Sequence, residues 1–276
     1  MTAAIIVVAL AVGLSATMIG AWLLALRTGR SGWIDAIWSF ATGAFGAAAA
    51  LIPLADAQIS IRQMLVAILA LLWSLRLGLH ISVRTASGGD DPRYRQLREE
   101  WGGSFKRRLF WFLQIQALVA LALALSIMLA AHHPASDLGI ADWTGFAVLI
   151  VAVAGETIAD RQLSAFRSNP ANKGKVCDVG LWRMSRHPNY FFEWLGWLAY
   201  AIIAIDLTGA YPWGWLALAG PLLMYWLLVH ASGIPPLEAH MLRSRGTIFR
   251  AYQRRVNAFW PGPQHAADAS HHGDTR

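Results

Sequence analysis

Seven apolar stretches, most of them about as long as a bilayer is thick, set what this chain can fold into. They run over Ala3–Leu26, Trp33–Leu54, Met64–Val83, Leu109–Ala131, Trp143–Ile158, Tyr190–Ile205 and Trp213–His230. A hydrocarbon core of about 30 Å takes about 20 residues of helix. The expected fold is therefore all-α: a polytopic membrane protein of about seven transmembrane helices. A composition of 56% hydrophobic and 14% charged residues agrees and excludes an ordinary soluble domain. The fifth and sixth stretches are short, and both are expected to project into water at their polar ends.

The first stretch resembles a signal peptide around Leu14-Ser15-Ala16, but no Lys or Arg precedes it and the apolar run continues to Leu26. It reads as a retained helix. The lone Cys177 excludes an internal disulfide and a cysteine-rich metal site. No internal repeat is visible. One integral-membrane domain over 1–262 is expected, with a cofactor-binding half from about 139 to 262 and a disordered tail over 263–276. Of the 23 Lys and Arg, all but Arg62 and Arg76 fall on alternating connections and the C-terminal tail. By the positive-inside rule those connections and the C-terminus are cytoplasmic and the N-terminus is outside. A bacterial inner membrane is the expected location. The basic charge also suits anionic lipid. No nucleic-acid-binding module is recognisable, so nucleic acid is not an expected partner.

The most informative segment is Gly180–Tyr200, GLWRMSRHPNYFFEWLGWLAY. Arg183, Arg186 and His187 precede Pro188, a residue favoured at the first helical position. Free N–H groups and the positive dipole end of that helix face the same place as the cations, which suits a phosphate or carboxylate. Asn189 and Glu193 follow at i and i+4, with Tyr190 beside them. Polar groups in a membrane segment are costly and suggest a site. An interfacial anchor with Trp194 and Trp197 in an aromatic belt is the plainer alternative.

Upstream, Glu156, Asp160, Ser164 and Arg167 step along one face of the fifth helix, which leads into a turn-rich loop holding Lys173 and Lys175. That loop suits a nucleotide, yet Lys173-Gly174-Lys175 is no phosphate-loop motif and no GxGxxG follows a strand. In the third stretch Arg76 and His80 share a face. An Arg at that depth needs a partner. Asp35 is the first candidate, with Glu156 and Glu193 as others. This is either a structural salt bridge or an acid relay of Asp35, Arg76 and His80. Two further segments, Asp91–Gly102 and the tail with Phe249, Tyr252 and Val256 on one face, are amphipathic and suited to resting on lipid or enclosing an anionic cofactor. His132-His133 and His271-His272 lack metal-ligand spacing, and no metal is expected.

Together, GLWRMSRHPNYFFEWLGW, ETIADRQLSAFR, DPRYRQLREEWG and YQRRVNAFWP resemble a bacterial branch of the steroid 5α-reductase superfamily, over roughly Asp35 to Pro261. That resemblance implies seven membrane helices, NADPH bound at the cytoplasmic side and a lipophilic substrate entering from the bilayer between early helices. Its activity is reduction of a carbon–carbon double bond conjugated to a carbonyl. It matches Glu156, Asp160, Arg167, Asn189 and Glu193 to cofactor-binding positions, with Glu156 standing where the family has Asn. Lys173, Lys175, Arg186, His187, Tyr190 and Tyr252 complete the expected cofactor set. The family's second-helix Glu matches Asp35, and its third-helix Tyr position holds Trp73, which offers no phenol.

The stretch Arg186-His187-Pro188-Asn189-Tyr190 with Glu238 and Tyr252 also resembles isoprenylcysteine-type and phospholipid methyltransferases, which implies S-adenosylmethionine at the same place. A non-catalytic lipid-binding or transport protein is the third alternative. The cluster Arg167, Lys173, Lys175 and Arg186 favours the phosphorylated cofactor.

Overall fold

In lipid, backbone groups find no water, so a spanning segment must bond its own N–H and C=O groups; a helix does so along its length. The computed structural model describes residues 2–54, 58–88 and 91–265, and its regular elements are all helical. They are α1 (Ala3–Thr28), α2 (Trp33–Leu51), α3 (Ile61–Ser87), α4 (Pro92–Trp101), α5 (Phe105–Ala131), α6 (Ile140–Ser168), α7 (Pro188–Ala204), α8 (Ala219–Trp226), α9 (Ile234–Arg245) and α10 (Thr247–Arg255), with short 3-10 turns between some of them.

Among the described residues six stretches are long and apolar enough to span: Ala3–Thr28, Trp33–Leu51, Ile61–Ser87, Arg93–Ala131, Ile140–Ser168 and Pro212–Arg245. The expected sixth span is α7, a 17-residue helix, about 26 Å long at 1.5 Å per residue. Trp213–His230, expected as one helix, is a 3-10 stretch Pro212–Leu218, then α8, then a π-helical turn Leu227–Ala231. Pro221 has no N–H to give the carbonyl four residues back, so the α ladder starts late.

The chain divides into two compact units. One holds the described part of 1–149 together with Trp197–Leu223; the other holds Ile150–Gly196 and 224–265. In the first, α2 packs on α1, α3 and α5. Its Ala- and Gly-rich sequence allows this close approach. A Cβ on Gly43 would lie 2.0 Å from the Cβ of Ser74 on α3. Ser74 Oγ donates to the Ser39 carbonyl at 2.9 Å, and Trp38 Nε1 to that of Gln116 at 2.9 Å. Leu14, Met18, Ile34, Leu109 and Leu113 form the core of this group. Val8, Val12, Ile68, Leu75, Leu79, Ile115 and Leu118 are exposed, as lipid-facing side chains must be.

Arg62, one of the two cations outside the alternating pattern, is buried on α3 and neutralised. Its Nε and Nη2 donate to Asp142 at 2.6 and 3.0 Å, and its guanidinium also reaches the carbonyls of His133, Ala135 and Asp137.

In the second unit the segment 184–186 runs beside the chain after α10. Arg186 N donates to the Asn257 carbonyl at 2.8 Å, Gly262 N to Met184 at 2.9 Å, and Ser185 Oγ to Phe259 at 2.9 Å. Phe249, Tyr252 and Val256 are buried against Val176, Met241 and Leu242, so the apolar face expected on the tail packs inside the protein rather than on lipid. Gln264 and His265 fall in the tail expected to be disordered, yet both are bonded, Gln264 to Asp178 at 3.0 Å and His265 to Asn257 at 2.8 Å. Residues 266–276 of that tail, with His271-His272, lie outside the described residues.

Candidate functional site

Two helices and one tight turn in the second unit gather most of the residues expected to hold a cofactor. Trp182 Nε1 donates to the Ala159 carbonyl at 2.9 Å, and the side-chain oxygen of Gln162 accepts from Leu181 N at 2.9 Å, which ties the approach to α7 onto α6. Gly155 lets the two helices close: a Cβ there would meet the Phe192 ring at 2.4 Å. On these facing helices Asn189 Nδ2 donates to Asp160 Oδ1 at 3.3 Å. Glu156 and Glu193 are 5% and 6% exposed, so two carboxylates lie inside the protein in this unit. Arg167, Lys173 and Lys175 are exposed at the end of α6 and on the loop beyond it.

The basic helix start is built differently from the expectation. Arg186 donates from Nε to Glu238 Oε1 at 2.7 Å, from Nη2 to Oε2 at 3.2 Å, and from Nη1 to the Gln253 carbonyl at 3.2 Å and to that of Val256. Each of its three nitrogens thus has a protein acceptor. Arg186 thereby joins α7's start to α9, to the last turn of α10 and to the chain after it, with its charge paired to Glu238. The Tyr252 hydroxyl donates to the Trp182 carbonyl inside the protein. Burial pushes that phenol far above its ordinary pKa.

His187 is 3% exposed. Its Nε2 lies 3.0 Å from Glu238 Oε1, and its ring stacks on Tyr190 with centroids 5.5 Å apart and planes 11° from parallel. Burial lowers its pKa, against the opposing pull of Glu238 and with help from Arg186. The expected cation is therefore a neutral imidazole at neutral pH. Gln253 Nε2 adds a further bond to Glu238 at 2.7 Å. Glu238, which the sequence reading does not place in the cofactor set, thus holds this turn together. Its signal was available, since it is the sole carboxylate between Asp206 and Asp268 in a strongly basic stretch.

The residues expected to supply an acid lie in the first unit. Asp35 Oδ1 accepts from the Tyr94 hydroxyl at 2.8 Å, and Oδ2 accepts from Arg93. Arg93 is fixed in turn by Asp91, which caps α4 and accepts from Arg93 N, Nε and Nη2 at 2.9, 3.1 and 3.0 Å. Burial pushes the Asp91 carboxyl up, but the bonds and charge of Arg93, with Arg84 beyond, hold it below its ordinary value. The partners seen at Asp35 thus come from α4, where the sequence had pointed first to Arg76. Arg76 is half-buried on α3 and His80 is exposed there. Tyr94 is buried against the core shared by α1, α2 and α5. Its spacing with Leu97 and Trp101, at i, i+3 and i+7, marked it as the polar member of α4's apolar face.

The model of a family described as "Protein of unknown function (DUF1295)" matches residues 21–256. The chain belongs to this family. DUF1295 is a steroid 5α-reductase-like family. An "Uncharacterized protein C594.04c" of Schizosaccharomyces pombe is 25% identical over 271 residues, covering 87% of this chain and 75% of that protein. A "Probable O-methyltransferase ustE" of Ustilaginoidea virens is 40% identical over 60 residues, 21% of each chain. No solved structure matches.

Proposed function

We propose that this DUF1295 protein is a membrane-embedded, NADPH-dependent reductase acting on a carbon–carbon double bond of a lipophilic enone. One observation carries the reading: the Asn189–Asp160 bond joins the two helices that bear Glu156, Asp160, Arg167, Asn189 and Glu193. These are the positions that the reductase resemblance marks for the cofactor. The donor set fits a dinucleotide phosphate. Exposed Arg167, Lys173 and Lys175 suit phosphate oxygens, while Asp160, Asn189 and Glu193 suit ribose hydroxyls and an amide. His187 and Tyr190 offer an acceptor and a stacking face; Arg186 and Tyr252 serve as scaffold.

When bound, NADPH supplies a hydride, and that chemistry is the cofactor's own. What the chain adds is orientation and a proton. For the acid the reading keeps Asp35, Arg76 and His80 and adds Tyr94. In that relay the Tyr94 hydroxyl carries a proton and donates to Asp35 at 2.8 Å.

A second reading, a methyltransferase using S-adenosylmethionine, is favoured by the short similarity to a probable O-methyltransferase. The pairing of Arg186 with Glu238 also favours it, because it removes one cation from those expected to meet phosphate. Thermal unfolding of the purified protein in detergent separates the two. A ligand at a hundred times its Kd stabilises the folded state by about 2.7 kcal/mol. NADPH is expected to raise the unfolding temperature more than S-adenosylmethionine does, and Asp160→Ala should abolish most of the NADPH shift. The opposite ranking establishes the second reading in place of the first.

A further inference from the structure

His187 Nδ1 is buried and has no hydrogen-bond partner. Unsatisfied buried polar atoms are rare in native structures and call for a physical explanation. The surroundings of this ring decide its proton. Nε2 faces a carboxylate oxygen of Glu238 at 3.0 Å, so Nε2 carries hydrogen and donates, and in the neutral ring Nδ1 is left with its lone pair. Arg186 bonds the same carboxylate, which both holds Glu238 in place and disfavours a second cation beside it. The stack on Tyr190 fixes the plane of the ring. The outcome is a rigid neutral acceptor one residue before the first turn of α7.

We infer that His187 Nδ1 receives a hydrogen bond from a neutral donor of the bound cofactor, a hydroxyl or an amide or amine N–H, and that Glu238 is the positioning residue that sets this tautomer. The inference rests on the cofactor reading of this unit, but it changes the chemistry expected at the Arg186-His187-Pro188 turn. An acceptor selects sugar hydroxyls or amide hydrogens and gains nothing from phosphate. Both NADPH and S-adenosylmethionine carry ribose hydroxyls and N–H groups, so the same acceptor serves either nucleotide.

Two substitutions separate the ring's nitrogens. Gln at 187 places an amide N–H where Nε2–H points, keeping the bond to Glu238 but offering nothing at the Nδ1 position. Asn at 187 places a carbonyl oxygen near the Nδ1 position and gives up Glu238. With full-length protein in detergent, NADPH and S-adenosylmethionine are each titrated against wild type, His187→Gln and His187→Asn. Loss of one buried hydrogen bond is worth about tenfold in Kd. His187→Gln is expected to weaken binding of whichever nucleotide the wild type binds by about tenfold, with His187→Asn recovering most of that loss. Independently of any ligand, nitrogen-15 spectra of histidine-labelled protein should show that the signal pair missing from His187→Gln includes an unprotonated Nδ1, and Glu238→Ala should shift its proton distribution.

Equal affinity in wild type and His187→Gln, or a protonated Nδ1 in the wild type, overturns the inference while leaving the reductase reading intact. Binding of S-adenosylmethionine alone, weakened by His187→Gln, overturns the reductase reading and upholds the inference. Failure of the wild type to bind either nucleotide overturns both.

Discussion

Asp35 and Tyr94 lie 59 positions apart in the chain and share one hydrogen bond at 2.8 Å. If the acid on the substrate side is the phenol, Tyr94→Phe should cut turnover of NADPH with a lipophilic enone roughly a hundredfold, the lower end of general-acid contributions. Cofactor affinity should not change. Asp35→Asn keeps an acceptor for the hydroxyl but discharges the partner of Arg93, so it too should lower turnover while NADPH affinity holds. Steady-state rates beside equilibrium titrations test both substitutions, and full turnover in Tyr94→Phe clears the phenol. Asp35 was legible from sequence as a carboxylate at a helix start. The role of Tyr94 is not legible there, because it depends on α4 folding back to α2, a tertiary fact that spacing along α4 alone does not contain.

At the scale of an element, the start of α7 depends on Glu238, which accepts from Arg186, His187 and Gln253 at once. Removing one partner of a largely buried ion pair leaves the other uncompensated and costs about 3–5 kcal/mol. Glu238→Ala should therefore lower the unfolding temperature sharply, and the paired change Arg186→Met with Glu238→Leu should lose much less. The same turn gives a pH signature. His187 has a folded pKa below its unfolded value, so the folded state binds fewer protons. The stability contributed by neutral His187 is fully present above about pH 6.5 and is lost as pH falls through the folded value. His133 is lowered too, by burial and by Arg62, against Asp142 and Asp206. His187→Gln should accordingly flatten part of the decline below pH 6.5, leaving the His133 share. Helix starts and capping residues here follow local chemistry: Pro188 opens α7, and Ser60 with Gln63 forms the capping box of α3. Partners such as Glu238 for Arg186, 52 positions away, are set by packing and leave only the weaker trace of a lone acidic residue among arginines.

For the whole molecule, hydropathy sufficed for the helical class because lipid leaves the backbone so few options. It gave coarser results where prolines intervene, as in 212–231, where one expected helix became three pieces. The orientation proposed, N-terminus outside and C-terminus cytoplasmic, rests on the distribution of Lys and Arg. The structure adds a reason why Arg62 does not weaken it: a cation held by Asp142 and three carbonyls is internally neutralised and carries little topological weight. By contrast, Arg243, Arg250 and Arg254 in the second unit are exposed and retain that weight. Fusions of alkaline phosphatase, active only after export, and of green fluorescent protein, fluorescent only in the cytoplasm, test this. A phosphatase inserted at Ala135, in the turn that Arg62 holds, should be active, and one joined after His265 should be silent where the fluorescent fusion is bright. The reverse pattern would put Arg167, Lys173 and Lys175 outside, away from cytoplasmic NADPH, and would remove the proposed reductase along with the orientation.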